Sequence, residues 1–273
     1  MAEEMFAKLN HIAIVSENYA AVSQFYQAVF GMKTSAKPRP GRASTVGDGY
    51  VGLNINPRYA GRPAHLDHFG IEVEDAERVF ARMKDFRGTK WVQRPGNRPF
   101  AAISAHDMDG NVFDISQRDS KNRTDMYTEN AGIAEAEARI SHFALRTLHA
   151  DEVAAFYREV FELEPLEKDA GDPSHYLSDG HVTMIIRPWA IEDYLGASII
   201  PAGMEHIGFT VKSWPEFQAN YDKVTGKNPL LIPLPIGNGP EGQKRLAVIR
   251  DGCRLYRHHM TDVDGTVLSV GEA

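Results

Sequence analysis

Three side chains with metal-ligating chemistry fall in strand-like segments of the first half of the chain: His11, His68 and Asp114. Two neutral imidazole nitrogens and one carboxylate oxygen form the donor set that holds a divalent metal and leaves one side open, as in non-haem iron centres. Manganese, zinc, cobalt and nickel accept the same donors, so ligand type alone does not choose the metal. Asp114 adds its own argument. It stands between Phe113 and Ile115, on the opposite face of an otherwise apolar strand. A carboxylate there has poor strand propensity and is costly to bury unpaired, so it needs a cation, several donors or solvent. The competing reading is that the histidines are hydrogen-bonded cavity residues and Asp114 is partly exposed.

These residues are placed by a phrase that the chain repeats four times. It reads His11-Ile-Ala-Ile-Val, His68-Phe-Gly-Ile-Glu-Val, His142-Phe-Ala-Leu-Arg-Thr and His206-Ile-Gly-Phe-Thr-Val. A repeated fold must repeat apolar residues, but packing gives no reason to repeat an imidazole. Each copy alternates, with Ile12 and Ile14, or Phe69, Ile71 and Val73, on one face. The other face holds the histidine followed by Ala13 or Gly70. A sheet face lined by such small residues is expected to curl around a cavity.

The halves match at a coarser level too. Phe25 follows His11 by 14 residues and Phe156 follows His142 by 14, and Asp48-Gly49 matches Asp179-Gly180 at the same offset of 131. Val22, Phe25, Tyr26 and Val29 have helical spacing, as do Val79, Phe80 and Met83. The Asp-Gly pairs read as hairpin turns, and Asp107 to Gly110 and Asp262 to Gly265 form a further Asp-x-Asp-Gly turn in each half. The expected fold is α+β, with four βαβββ modules paired into two similar domains, each a curled mixed sheet with helices outside. Residues 1–120 form the first domain and 139–273 the second, with polar residues 121–138 as linker. The second half carries an insertion near residues 228–243, read as a lid, a surface for self-assembly or a solvated loop.

The second half acts as an internal control. Where the first has His11, Asn54, His68 and Asp114, it has His142, Ile185, His206 and Ser269. Isoleucine cannot ligate, serine is a poor ligand beside a carboxylate, and Glu272 has the wrong parity. A metal is therefore expected in the first half. Tyr50, read on a strand face with Gly52, Asn54 and Asn56, and His106, on a face with Ser104, are candidate acid/base groups. A packing or turn role is the alternative for each. Arg94 and Arg98 could meet an anionic substrate or be solvated loop residues. No residue is assigned to an organic cofactor.

Composition narrows the class. The net charge of −7 and the absence of a basic stripe argue against nucleic acid as the main partner. No apolar run approaches the roughly 18 residues of a membrane span, and the N-terminus lacks the pattern of a signal peptide. The single cysteine, Cys253, excludes an internal disulfide and a thiolate metal cluster. The expected location is the cytoplasm.

The strand histidine, the Phe-Tyr-x-x-Val-Phe helix end and the Asp-x-Asp-Gly-Asn-x-Phe-Asp strand resemble the vicinal oxygen chelate superfamily. That group includes glyoxalases, bleomycin-resistance proteins and extradiol ring-cleavage dioxygenases. The resemblance spans nearly the whole chain and, at this length, is greatest to the two-domain extradiol enzymes. It implies metal ligands at His11, His68 and Asp114, and leaves Asn54 at the remaining family carboxylate position. Extradiol enzymes typically carry the metal in the C-terminal domain and use Glu; here Ser269 stands there and the carboxylate is Asp114. The implied activity is an Fe(II) dioxygenase acting on a catechol-like aromatic and O2. A redox-neutral isomerase, lyase or hydrolase using the same divalent metal is the second reading, and a non-catalytic small-molecule binding protein the third.

Overall fold

The computed structural model describes residues 6–34, 43–94, 103–118, 138–199, 202–237, 239–252 and 255–273. The strands of the first half are β1 (Ala7–Ser16), β2 (Lys33–Thr34), β3 (Ser44–Gly47), β4 (Gly52–Pro57), β5 (His65–Val73), β6 (Lys90–Gln93), β7 (Ile103–His106) and β8 (Val112–Gln117). They form one sheet in the order β2-β3-β4-β1-β5-β8-β7-β6. The second sheet is built from β9 (Ala138–Thr147), β10 (Glu164–Pro165), β11 (His175–Ser178), β12 (Thr183–Pro188), β13 (Gly203–Val211), β14 (His258–Thr261) and β15 (Val267–Glu272). Its order is β10-β11-β12-β9-β13-β15-β14. In each sheet the two histidine-bearing strands pair antiparallel at the centre, flanked by parallel partners, so both sheets are mixed and neither closes into a barrel. The expected α+β architecture of two similar domains is what the chain forms.

The helices are α1 (Tyr19–Phe30), α2 (Ala76–Met83), α3 (Ala150–Phe161), α4 (Ile191–Ala197), α5 (Trp214–Lys227) and α6 (Gly239–Gly252). Val22, Phe25, Tyr26 and Val29 are buried on α1, and Val79, Phe80 and Met83 on α2, as their spacing requires. Asn18 caps α1 by accepting from the Ala21 amide, and Gly31 ends it with φ 69°.

Two details refine the expected modules. The fourth module has no counterpart of β6 among the described residues: between α5 and β14 the chain makes a 3-10 turn (Pro229–Leu231) and then α6. The insertion near 228–243 thus runs from that turn through residues 232–237, which are neither helix nor strand, into α6. Leu231 is buried in the core, the Leu234 amide donates to the Asp262 carbonyl, and α6 packs on α4. The proposed linker lies outside the described residues except for Ala138, which already begins β9.

The halves share one core. Phe69 and Phe113, on the faces of β5 and β8 away from the histidine, meet Phe143 of β9 and Tyr157 of α3 at ring-centroid distances of 5.0–5.8 Å. Symmetrically, Phe30 of α1 stacks on Phe209 of β13 at 4.0 Å. Each helix-facing sheet surface is thus closed by the opposite half. Such aromatic pairs add about 0.5–1.5 kcal/mol each beyond burial.

The repeated turns bind the halves together. Asp48 Oδ1 accepts the amides of Tyr50 and Val51, while its Oδ2 accepts the Ile140 amide at 2.7 Å. Asp179 does the same for His181 and Val182, and reaches back to the Leu9 amide at 2.7 Å. In the Asp-x-Asp-Gly turns, buried Asp107 accepts the Tyr157 hydroxyl and buried Asp262 the Tyr26 hydroxyl. The next acids reach across as well, Asp109 to the His149 amide and Asp264 to the Glu17 amide.

Candidate metal centre

His11, Gly70 and Asp114 lie in one row across three adjacent strands, because His11 pairs with Gly70 and Gly70 with Asp114. His68 is two residues back along β5, so its side chain enters from the same face. Gly70 is where the row needs a glycine. A Cβ built there would fall 1.8 Å from Cε1 of His11, so the imidazole lies across the glycine and any side chain would displace it. The rings of His11 and His68 meet edge to face, with centroids 5.5 Å apart.

One nitrogen from each histidine and one Asp114 oxygen lie within 4.8 Å of one another. Asp114 Oδ2 is 3.4 Å from His68 Nε2 and 4.0 Å from His11 Nε2. The Nδ1 atoms are held elsewhere, His11 on Asn10 Oδ1 at 2.8 Å and His68 on Asp67 Oδ2 at 2.7 Å. With those oxygens as acceptors each Nδ1 carries a proton, and Nε2 faces Asp114, where loss of its own proton would free it to ligate a metal. His11 and Asp114 are buried and His68 nearly so. The donor types, the aim of the nitrogens and the cradle over Gly70 all fit a divalent metal.

Electrostatics tie the cluster to its surroundings. Burial opposes charge on Asp114, but the His68 hydrogen bond and the nearby His11 and Arg94 hold its carboxyl below the ordinary range. Burial also opposes a proton on His68, yet bonds to Asp114 and Asp67 outweigh it and raise its pKa to about 9. Asp67, despite desolvation, is lowered to about 2 by His68 and Arg62. A second chain of contacts runs outward. Ser104 donates to Asp114 Oδ1 at 2.8 Å, Arg94 Nε donates to Ser104 at 2.7 Å, and Arg94 Nη1 lies 3.0 Å from Asp114 Oδ2.

The structure therefore brings together His11, His68 and Asp114, and adds Arg94. Arg98 lies outside the described residues. His106 sits on the same sheet face, one step beyond the Ser104–Asp114 pair, with Nδ1 held by the Asp107 carbonyl at 2.8 Å. Tyr50 is not on strand β4 as expected. The Asp48 carboxylate draws its amide into a turn, and its hydroxyl donates to Asp179 across the junction of the halves while its ring packs at a tilt on His181. Burial and Asp179 push its pKa up, which opposes an acid/base role. Asn10, Asp67, Gly70 and Ser104 had not been assigned to the site. A signal for three of them was present in the repeat, as a polar residue before each histidine and a glycine two residues after His68 and His206.

The second half repeats the geometry with both histidines but without the carboxylate. Gly208 pairs with Ser269 as Gly70 does with Asp114, and His142 lies over Gly208. The rings of His142 and His206 meet at 5.3 Å and 84°. Here Ser269 hydrogen-bonds His142 Nε2 at 3.0 Å, and Tyr256 packs on the His142 ring. Glu205 is taken up by Arg187 at 2.8 Å and Arg146 at 3.0 Å. The guanidinium of Arg187 lies directly against Gly252 of α6. Among the described residues, Ser269 and Tyr256 thus stand beside His142, where the first half has Asp114 beside His11.

The sequence of each half matches one family model, glyoxalase/bleomycin resistance protein/dioxygenase superfamily, over residues 8–115 and 139–267. The chain belongs to that superfamily. No curated protein matches it significantly. Among solved structures, those it resembles include the Mn(II)-bound glyoxalase from Novosphingobium aromaticivorans, at 14% identity and TM-score 0.65, over 97% of this chain and 81% of that one. Another is the 2,3-dioxygenase LapB from Pseudomonas sp. KL28, at 14% identity and TM-score 0.65, over 99% of this chain and 94% of that one. A xylose isomerase-like TIM barrel/4-hydroxyphenylpyruvate dioxygenase fusion protein matches 81% of this chain at 15% identity and TM-score 0.58, and the chain spans 41% of its length. At these identities the likeness shows the superfamily fold and not the reaction.

Proposed function

We propose that the chain is a metal-dependent ring-cleavage dioxygenase that takes a catechol-like aromatic and O2, with Fe(II) held by His11, His68 and Asp114. The observation that carries this reading is the cluster itself: two aimed imidazole nitrogens and a carboxylate oxygen within 4.8 Å, on three neighbouring strands of the superfamily fold. When bound, the metal would supply Lewis acidity toward two vicinal substrate oxygens and a place for O2. The chain supplies the rest. Asn10 and Asp67 fix the imidazoles, and Ser104 holds the second oxygen of Asp114. Arg94 brings positive charge to 3.0 Å from Asp114 and favours an anionic substrate oxygen beside it. His106, whose Nδ1 meets the Asp107 carbonyl, is the candidate acid/base group, acting at Nε2. No helix among the described residues is long and apolar enough to cross a membrane.

The resemblance to a Mn(II)-bound glyoxalase favours a second reading, a redox-neutral isomerase, lyase or hydrolase on the same ligands. The test is oxygen uptake by anaerobically prepared, Fe(II)-loaded protein given a panel of catechols. Stoichiometric loss of O2 and catechol supports the dioxygenase. Full-rate turnover of a substrate without O2 assigns the site to the redox-neutral class.

A further inference from the structure

All four histidines of the repeat follow an irregularity in their strand. In β1, Leu9 pairs with Ile71 and His11 with Gly70, which leaves Asn10 as an extra residue. In β5, Leu66 pairs with Ile14 and His68 with Ala13, which leaves Asp67. The same holds for Ser141 in β9 and Glu205 in β13. In a regular strand, neighbouring side chains point to opposite faces and could not meet. A bulge turns the extra residue around at the cost of ladder pairing, and bulges gather where a side chain must be re-aimed.

At each bulge the extra residue presents oxygen to the histidine that follows. Asn10 and Asp67 bond Nδ1 at 2.8 and 2.7 Å, and Ser141 meets His142 Nδ1 at 3.1 Å. Glu205 stands off from His206 Nδ1 at 3.7 Å, its oxygens engaged by two buried arginines. The device is therefore tight where the carboxylate ligand exists and looser where Ser269 replaces it. The two tight partners also differ: Asn10 is a neutral amide, whereas Asp67 is a carboxylate. An anionic acceptor on Nδ1–H raises electron density at Nε2 more than an amide does.

Resting on the metal centre proposed above, we propose that Asn10 and Asp67 are positioning residues presented by paired β-bulges, and that the Asp67 carboxylate makes His68 the stronger nitrogen donor of the two. The experiment is titration of the metal-depleted full chain with manganese(II), for wild type, Asp67→Asn, Asp67→Ala and His68→Ala, beside the melting curve of each metal-free protein. Asp67→Asn keeps the size and an acceptor but removes the charge. The expected affinity falls 10- to 100-fold in Asp67→Ala, with Asp67→Asn between it and wild type at an unchanged metal-free melting temperature. Wild-type affinity in both Asp67 variants, with binding lost only in His68→Ala, overturns the proposal and leaves the metal centre standing. No manganese binding by wild type overturns the metal centre and the proposal together.

Discussion

Gly70 decides whether the site can exist, since the His11 imidazole occupies the space its Cβ would need. Gly70→Ala should displace that ring and abolish metal binding, at a stability cost of about 1–3 kcal/mol from overpacking. Gly208→Ala makes the equivalent change under His142. It should cost similar stability and leave metal content unchanged. Metal analysis beside thermal melts of the two variants checks the pair. Much of this scale was legible in the sequence. His11, His68 and Asp114 stood out by type and parity, and Ser269 marked the second half as lacking a carboxylate. Tyr50 was misplaced because alternation cannot show an Asx turn, in which the Asp48 carboxylate outcompetes the sheet for the Tyr50 amide. Ser104 and Arg94 reach Asp114 only through strand pairing that single-strand periodicity does not contain.

The turns and bulges hold information that the strand pattern alone does not. The Asp-x-Asp-Gly turns read as local punctuation, yet each buries a carboxylate against a tyrosine of the opposite half. Burial dominates at Asp262 and lifts its pKa to about 6 despite amide and hydroxyl donors. A raised native pKa means that the protonated carboxyl is favoured by folding. That stabilisation is complete below the unfolded value of roughly 3.9 and is lost as pH rises through about 6. Asp262→Asn should therefore flatten the decline in stability between about pH 4 and 6, an effect on the order of 2 kcal/mol. Denaturant midpoints across that range test it, and an unchanged pH profile would refute the assignment. The insertion was legible only as extra length. That it becomes α6 rests on contacts such as those of Arg187 with Gly252 and the Val248 carbonyl across the fold.

At the scale of the molecule, duplication set the architecture, and among the described residues one half alone carries the full His-His-Asp group. The halves share a single apolar core and exchange turn contacts, so heat should unfold the chain in one transition. Two calorimetric peaks would contradict that coupling. The repeat made two similar domains readable from sequence, but not the core they share, because inter-half contacts have no sequence period. The most direct test is metal stoichiometry in anaerobically purified protein, comparing wild type, His68→Ala and His206→Ala. The account predicts about one divalent metal per chain in wild type and His206→Ala, and none in His68→Ala. Metal at background in all three, or lost from His206→Ala and retained by His68→Ala, would contradict it.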